Sequence, residues 1–126
     1  MLLLQTKPVL DTWQLASWDE FVQLADGPES DKLKCYYCNG QMRFEPMSAG
    51  SDHSNDNALI VFVLSFFAAS QGIPMTVKDG CSYRKVGFDE FQPDVSCYIG
   101  TEADTISWGT RIVNLEQYPE IGRAHV

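Results

Sequence analysis

The stretch Phe91-Gln92-Pro93-Asp94-Val95-Ser96-Cys97-Tyr98-Ile99 carries the residue best placed to do chemistry. Asp94 follows a proline and heads a run in which Val95, Cys97 and Ile99 alternate with Ser96 and Tyr98, the period-two pattern of a half-buried strand. Pro93 has no N–H to give to a ladder, so it belongs at or before the first strand position, and Asp94 then lies at the mouth of a sheet. A carboxylate there can hold a cation; punctuation of a turn is the plainer use of a Pro-Asp pair. His53 stands in a polar run, Asp52 to Asn57, just ahead of a long apolar block, where an imidazole can bind metal, orient water or move a proton. Glu45 closes a strand-like run upstream and can converge on the same mouth. Taken singly, each of the three is more often a cap, a surface charge or a hydrogen-bonded loop residue. Their order, an acid after a hairpin, a histidine at a helix start and Pro-Asp at a strand start, is what suggests a shared site.

Other constellations carry less. Cys35-Tyr36-Tyr37-Cys38 followed by Asn39-Gly40 resembles half a zinc knuckle, but Cys81 and Cys97 do not form a second close pair. Strand positions three apart also point to opposite faces, which favours ordinary buried thiols. Lys78, Arg84 and Lys85 can touch phosphate or simply keep a strand face solvated. The aromatic residues are not interleaved with basic ones as in a stacking platform, and no Gly-x-Ser-x-Gly elbow occurs.

The elements that must position these residues are legible in outline. Ser17 and Glu20 form a capping box ahead of Trp18, Phe21, Val22 and Ala25 at helical spacing, and Gly27-Pro28 ends that short helix. Asn39-Gly40 between Leu33–Cys38 and Gln41–Glu45 predicts a hairpin, since a type I′ turn needs positive φ at both central residues. Ser51 or Asp52 can cap a helix running from about Ser54 to Gln71, whose block from Ala58 to Ala69 is apolar on every face and so predicts burial against a sheet. Gly72-Ile73-Pro74 closes it. Strands are expected at Met75–Lys78, Cys81–Val86 and Val95–Ile99, with Gly87 to Glu90 as a separator and Gly100 to Gly109 as an exposed acidic loop.

The totals bound the function. A chain of 126 residues with 44% hydrophobic residues is one ordinary globular domain or part of one. Its net charge of −8 counts against a protein that coats DNA through long-range attraction, so any nucleic-acid contact must be local or metal-assisted. The apolar start Met1 to Leu4 lacks a basic region ahead of it, and the block from Ala58 is well short of the roughly 20 residues a membrane span needs. A cytoplasmic, non-membrane protein with reduced thiols is expected.

The helix around Trp18-Asp19-Glu20-Phe21, the hairpin with Asn39-Gly40-Gln41-Met42, the Pro46 to His53 segment leading into the apolar helix, and Gln92-Pro93-Asp94-Val95 together resemble the Uma-two family over about Thr12 to Pro119. Those proteins are described as restriction endonucleases of the PD-(D/E)XK nuclease superfamily. The resemblance implies an α/β domain, a restriction-endonuclease-like mixed sheet with a buried helix, and magnesium-dependent cleavage of nucleic-acid phosphodiesters, DNA more than RNA, with a homodimer allowed. Asp94 matches the family's metal-binding aspartate and His53 its helix-start histidine. Where relatives have Tyr-Glu-Leu before the hairpin turn, this chain has Cys35-Tyr36-Tyr37, so Glu45 is the substitute candidate for the upstream acid. The other readings open at this point are a non-catalytic binding or assembly module on the same fold and a small zinc protein.

In relatives, Leu115 to Pro119 would lead into a strand carrying the second carboxylate. Here Glu120-Ile121-Gly122-Arg123-Ala124-His125-Val126 follows, and these residues can be encoded by GAGATCGGAAGAGCACACGTC, a sequencing-library adapter. Residues 1–119 are therefore read as a partial nuclease-like domain, truncated before its last strands and helices, and 120–126 as a non-native tail. The fragment alone should be inactive or nearly so, because one carboxylate seldom fixes magnesium. The nucleotide record is expected to show that adapter across Glu120 to Val126; any other set of codons removes the non-native reading of the tail.

Overall fold

The computed structural model describes residues 7–103 and 105–125, so the reading of the apolar start concerns residues 1–6 outside that description. In chain order the elements are β1 (Gln14–Leu15), α1 (Trp18–Ala25), β2 (Leu33–Cys38), β3 (Gln41–Pro46), α2 (Ser51–Gln71), β4 (Met75–Asp79), β5 (Ser82–Lys85), β6 (Asp89–Phe91), β7 (Val95–Ile99), β8 (Ile112–Asn114) and β9 (Gly122–Ala124). This is a mixed α/β chain. It divides into two units, Met1–Met47 with Lys85–Gln92, and Ser48–Arg84 with Pro93–Val126.

The first unit is organised by the β2–β3 hairpin. Asn39 and Gly40 have φ of 52° and 73°, as a type I′ turn demands, and this turn sets the register from Cys38↔Gln41 out to Leu33↔Pro46. β1 pairs antiparallel with β3, and β6 pairs with β2 through Tyr37↔Glu90. α1 begins at the expected capping box: the Glu20 N–H donates to Ser17 Oγ and the Ser17 N–H to Glu20 Oε1. Its apolar stripe buries Phe21 and Leu24 against Cys35, Tyr37, Met42 and Phe44. Phe21 stacks on Phe44 at 5.9 Å between ring centroids, and Trp18 meets Tyr37 edge-on. The Tyr37 hydroxyl is satisfied by donating to the Ala16 carbonyl at 2.8 Å.

The second unit is built on an antiparallel ribbon of β4 and β7, in register from Met75↔Ile99 to Asp79↔Val95, with β9 on the other edge of β7. β5 and β8 pair in parallel within the same unit. α2 packs on β4 and β7. It starts after Gly50, which gives no side-chain cap, and not on a Ser51 or Asp52 cap; Gly72, at φ 65°, ends it in the left-handed conformation expected of a C-terminal glycine.

The expected buried helix is not what forms. Ala68 is the one fully buried residue of α2, whereas Phe62 and Phe66 are 62% and 64% exposed and Leu59, Val63 and Phe67 are exposed with them. The cause is geometric: a two-strand ribbon covers one stripe of a helix, and the face opposite that stripe has no layer over it. Among the described residues no helix is long and apolar enough to cross a membrane. Short strands that the sequence hides also form: β1, β6 and β8 in one sheet and β9 in the β4–β7 sheet, each of two or three residues.

The contrast between the two apolar groups has a measurable consequence. Phe44→Ala opens a cavity in a closed core and is expected to cost about 3–5 kcal/mol. Phe66→Ala removes a ring already in water and should stay within about 0.5 kcal/mol. Urea unfolding midpoints of the two variants check this.

Candidate active site

Asp94 lies immediately before β7, after the fully buried Pro93, and is itself 5% exposed. Its backbone carbonyl accepts from the Gly80 N–H at 3.1 Å, which ties the head of β7 to the turn leaving β4. His53, in the first turn of α2, brings Nε2 to 3.2 Å from Asp94 Oδ1. The structure thus joins two of the three expected site residues. The pairing suits the burial: a carboxylate withdrawn from water needs a donor or a positive partner.

Glu45 is placed differently. It sits on β3 of the first unit, and Arg43, two residues earlier on the same strand, holds its Oε2 at 2.6 Å. Its charge is answered locally, so its candidacy as an acidic partner gains no support from its surroundings.

Around the His53–Asp94 pair the second unit adds groups not anticipated from the sequence. Asn57, one helical turn after His53, donates from Nδ2 to Asp79 Oδ1 at 3.4 Å. Asp79 is the last residue of β4 and the register partner of Val95, next to Asp94. The Asn57 Oδ1 is shut off from solvent and accepts no hydrogen bond. The i, i+4 spacing of His53 and Asn57 was the available signal; the strand pairing that sets Asp79 beside it was not readable. In the first unit Glu90, read as part of a turn, is buried at 5% exposure on β6 opposite Tyr37. The alternation Glu90, Gln92, Asp94, Ser96 continues the β7 pattern backwards and would have flagged it.

Behind the pair, the Asp94 face of β7 is closed by hydroxyls. Ser96 Oγ meets the Tyr83 hydroxyl at 2.5 Å, and Tyr98 donates to the Tyr118 carbonyl at 2.9 Å. Burial pushes the Tyr83 phenol far above its ordinary 10.0, against the opposing effect of the Ser96 hydrogen bond. Burial likewise raises the Cys97 thiol above 9.0, against a backbone hydrogen bond from Gly122.

As to metal, no three His, Cys, Asp or Glu side chains among the described residues stand together as a ready cage, and of the four free cysteines Cys35 is buried while Cys38 is exposed. A hard divalent cation such as magnesium asks for less, one or two protein carboxylates with water and substrate oxygens completing the shell. Asp94, a single buried carboxylate, meets the lower bound of that requirement. No protein-family model, curated protein or solved structure matches the chain.

The Tyr83 environment sets an alkaline limit on stability. The unfolded chain ionises this phenol near 10 while the folded chain resists, so the stabilisation is complete below that pH and is lost as pH rises towards the folded-state value, at up to about 1.4 kcal/mol per pH unit. Tyr83→Phe is expected to cost about 1–2 kcal/mol near pH 8 by orphaning Ser96, yet to decline less steeply between about pH 10 and 12. Urea midpoints across that range read both effects, with the Cys97 contribution common to the two proteins.

Proposed function

We propose that the chain carries the metal-anchoring centre of a magnesium-dependent phosphodiesterase acting on nucleic acid, DNA more than RNA, as its resemblance to the Uma-two nucleases implies. The observation that supports this most is the buried Asp94 at a strand head with His53 on its Oδ1 at 3.2 Å. Asp94 would hold the cation. When bound, the metal would polarise a phosphate oxygen and make its water more acidic.

The residues of the chain do the rest. Asp94 orients the His53 ring through Nε2, so that Nδ1 can accept the proton of an attacking water. Gly50 leaves the first turn of α2 without a side-chain cap, so backbone N–H groups next to His53 are available to an anion such as phosphate. That local positive end answers the question raised by a net charge of −8, since it acts over a few ångströms and does not need a basic surface. Glu45, engaged by Arg43, has no part in this step.

Cleavage of labelled DNA under magnesium titration tests the assignment. Asp94→Asn is expected to abolish metal-dependent cleavage, and His53→Gln to slow it by about 10²–10⁴. Unchanged cleavage by Asp94→Asn would sink it, and DNA binding that persists without any cleavage in the unaltered protein would favour a non-catalytic module.

A further inference from the structure

The side of α2 turned away from the β4–β7 ribbon is apolar, open and ordered by a repeat. Leu59, Phe62, Val63, Phe66 and Phe67 are each more than half exposed, and Phe62 stacks on Phe66 at 5.9 Å between ring centroids. Each ring leaves on the order of 100 Å² in water, so the five side chains together expose about 500 Å², the upper part of what a monomer leaves as one patch. The exposed Ala58, Ala69 and Ser70 carry the same face towards the roughly 800 Å² per copy of a standard interface. Asn55, Leu59, Phe62, Phe66 and Ala69 follow one another in alternating steps of four and three, the spacing of a coiled-coil seam. The covered side of the helix is a separate stripe, through His53, Asn57, Leu64 and Ala68.

The charge on this face narrows its occupant. No charged residue occurs from Asn57 to Gln71, although the chain holds 17 acidic residues, and α2 contains no Lys or Arg at all. A phosphate backbone or an anionic lipid surface needs cations at the contact, whereas an uncharged apolar stripe fits another of its kind. The repeat makes the stripe complementary to itself, and we infer that it is the seam of a two-fold dimer in which α2 of a second copy packs antiparallel. In that register Phe62 meets Phe66 of the second copy and Leu59 meets its Ala69, large against small, and the two-fold axis makes each contact twice. Asp52 and Asp56 of the two copies fall at opposite ends, beyond the seam; a parallel pairing would gather all four carboxylates at one end. The small cost expected for Phe66→Ala is that of a separated copy, since the ring is covered by the second copy and not by its own fold. The seam draws on neither Asp94 nor a metal, so it stands or falls apart from the proposed cleavage.

Sedimentation velocity of the full chain from micromolar to millimolar concentration reads the dimer. Phe66→Asp is expected to weaken it by about 30-fold or more, the loss of a central aromatic anchor, while the circular dichroism of the chain is unchanged. Trp108→Ser removes a fully exposed ring elsewhere and should alter association by less than about twofold. Leu59→Lys and Ala69→Glu should each weaken self-association, and mixing the two variants should restore dimers, because only the antiparallel register sets that Lys against that Glu. A chain that stays monomeric at every concentration overturns the seam, as does equal weakening by Phe66→Asp and Trp108→Ser. Dimers that mixing fails to restore overturn the antiparallel register. A monomer that cosediments with phosphatidylcholine vesicles, and ceases to in Phe66→Asp, would give the face to a lipid surface instead of a second copy.

Discussion

Burial of the Asp94 carboxylate is the constraint from which the second unit can be derived. A carboxylate at 5% exposure is tolerable only where polar partners replace water, and the fold brings the His53 ring to within 3.2 Å of it. For the imidazole to reach, the first turn of α2 must lie over the head of β7. That in turn requires α2 to run along the β4–β7 ribbon, with the Gly80 turn holding the strands together at that end. Pro93 contributes by its fixed φ and missing N–H, which start the strand at Val95 and leave Asp94 just outside the ladder. Such an arrangement is costly for stability alone, since an apolar pair of similar volume would be cheaper.

α2 shows how far composition can mislead about environment. Its apolar residues surround the helix, and an all-round apolar helix is ordinarily a buried one. Yet periodicity states only which residues avoid water, and says nothing of whether a second layer exists to cover them. The stripe of His53, Asn57, Ile60, Leu64 and Ala68, spaced at helical intervals, is the better-covered one; Phe62 and Phe66 stack on one another at 5.9 Å in the open. Unlike the aromatic residues of the first unit, which meet Phe21 from several sides, these two rings gain little from folding.

What could be read from the sequence was what local chemistry decides. Asn39-Gly40 dictates a turn whatever surrounds it, and the Ser17–Glu20 capping box satisfies its own N–H groups, so the hairpin and α1 stand where expected, as does the β7 alternation behind Pro93. Juxtaposition of His53 and Asp94 was expected from their order and is present. The short strands β1, β6 and β8 have too few residues for a period to show, and exist because a neighbouring strand offers them a ladder. Asp79 and Glu90 escaped for the same reason: one looked like the start of an Asp-Gly turn and the other like part of a loop, and each acquires its surroundings only through strand pairing.

β9 carries the same lesson to its limit. It pairs Gly122, Arg123 and Ala124 with Cys97, Ser96 and Val95 on the open edge of β7, although nothing in those residues reads as a strand. An unpaired edge presents N–H and C=O groups that any extended segment can answer, so the pairing selects backbone and not side chains. One position is an exception: a Cβ on Gly122 would come within 3.0 Å of Cys97 Sγ, so the closest approach to β7 is made by the residue that has none. Along the edge of β7 the ladder is made by backbone groups, with Gly122 the one position where the side chain matters. The Asp94 end of the strand differs, since there the side chain of His53 makes the contact.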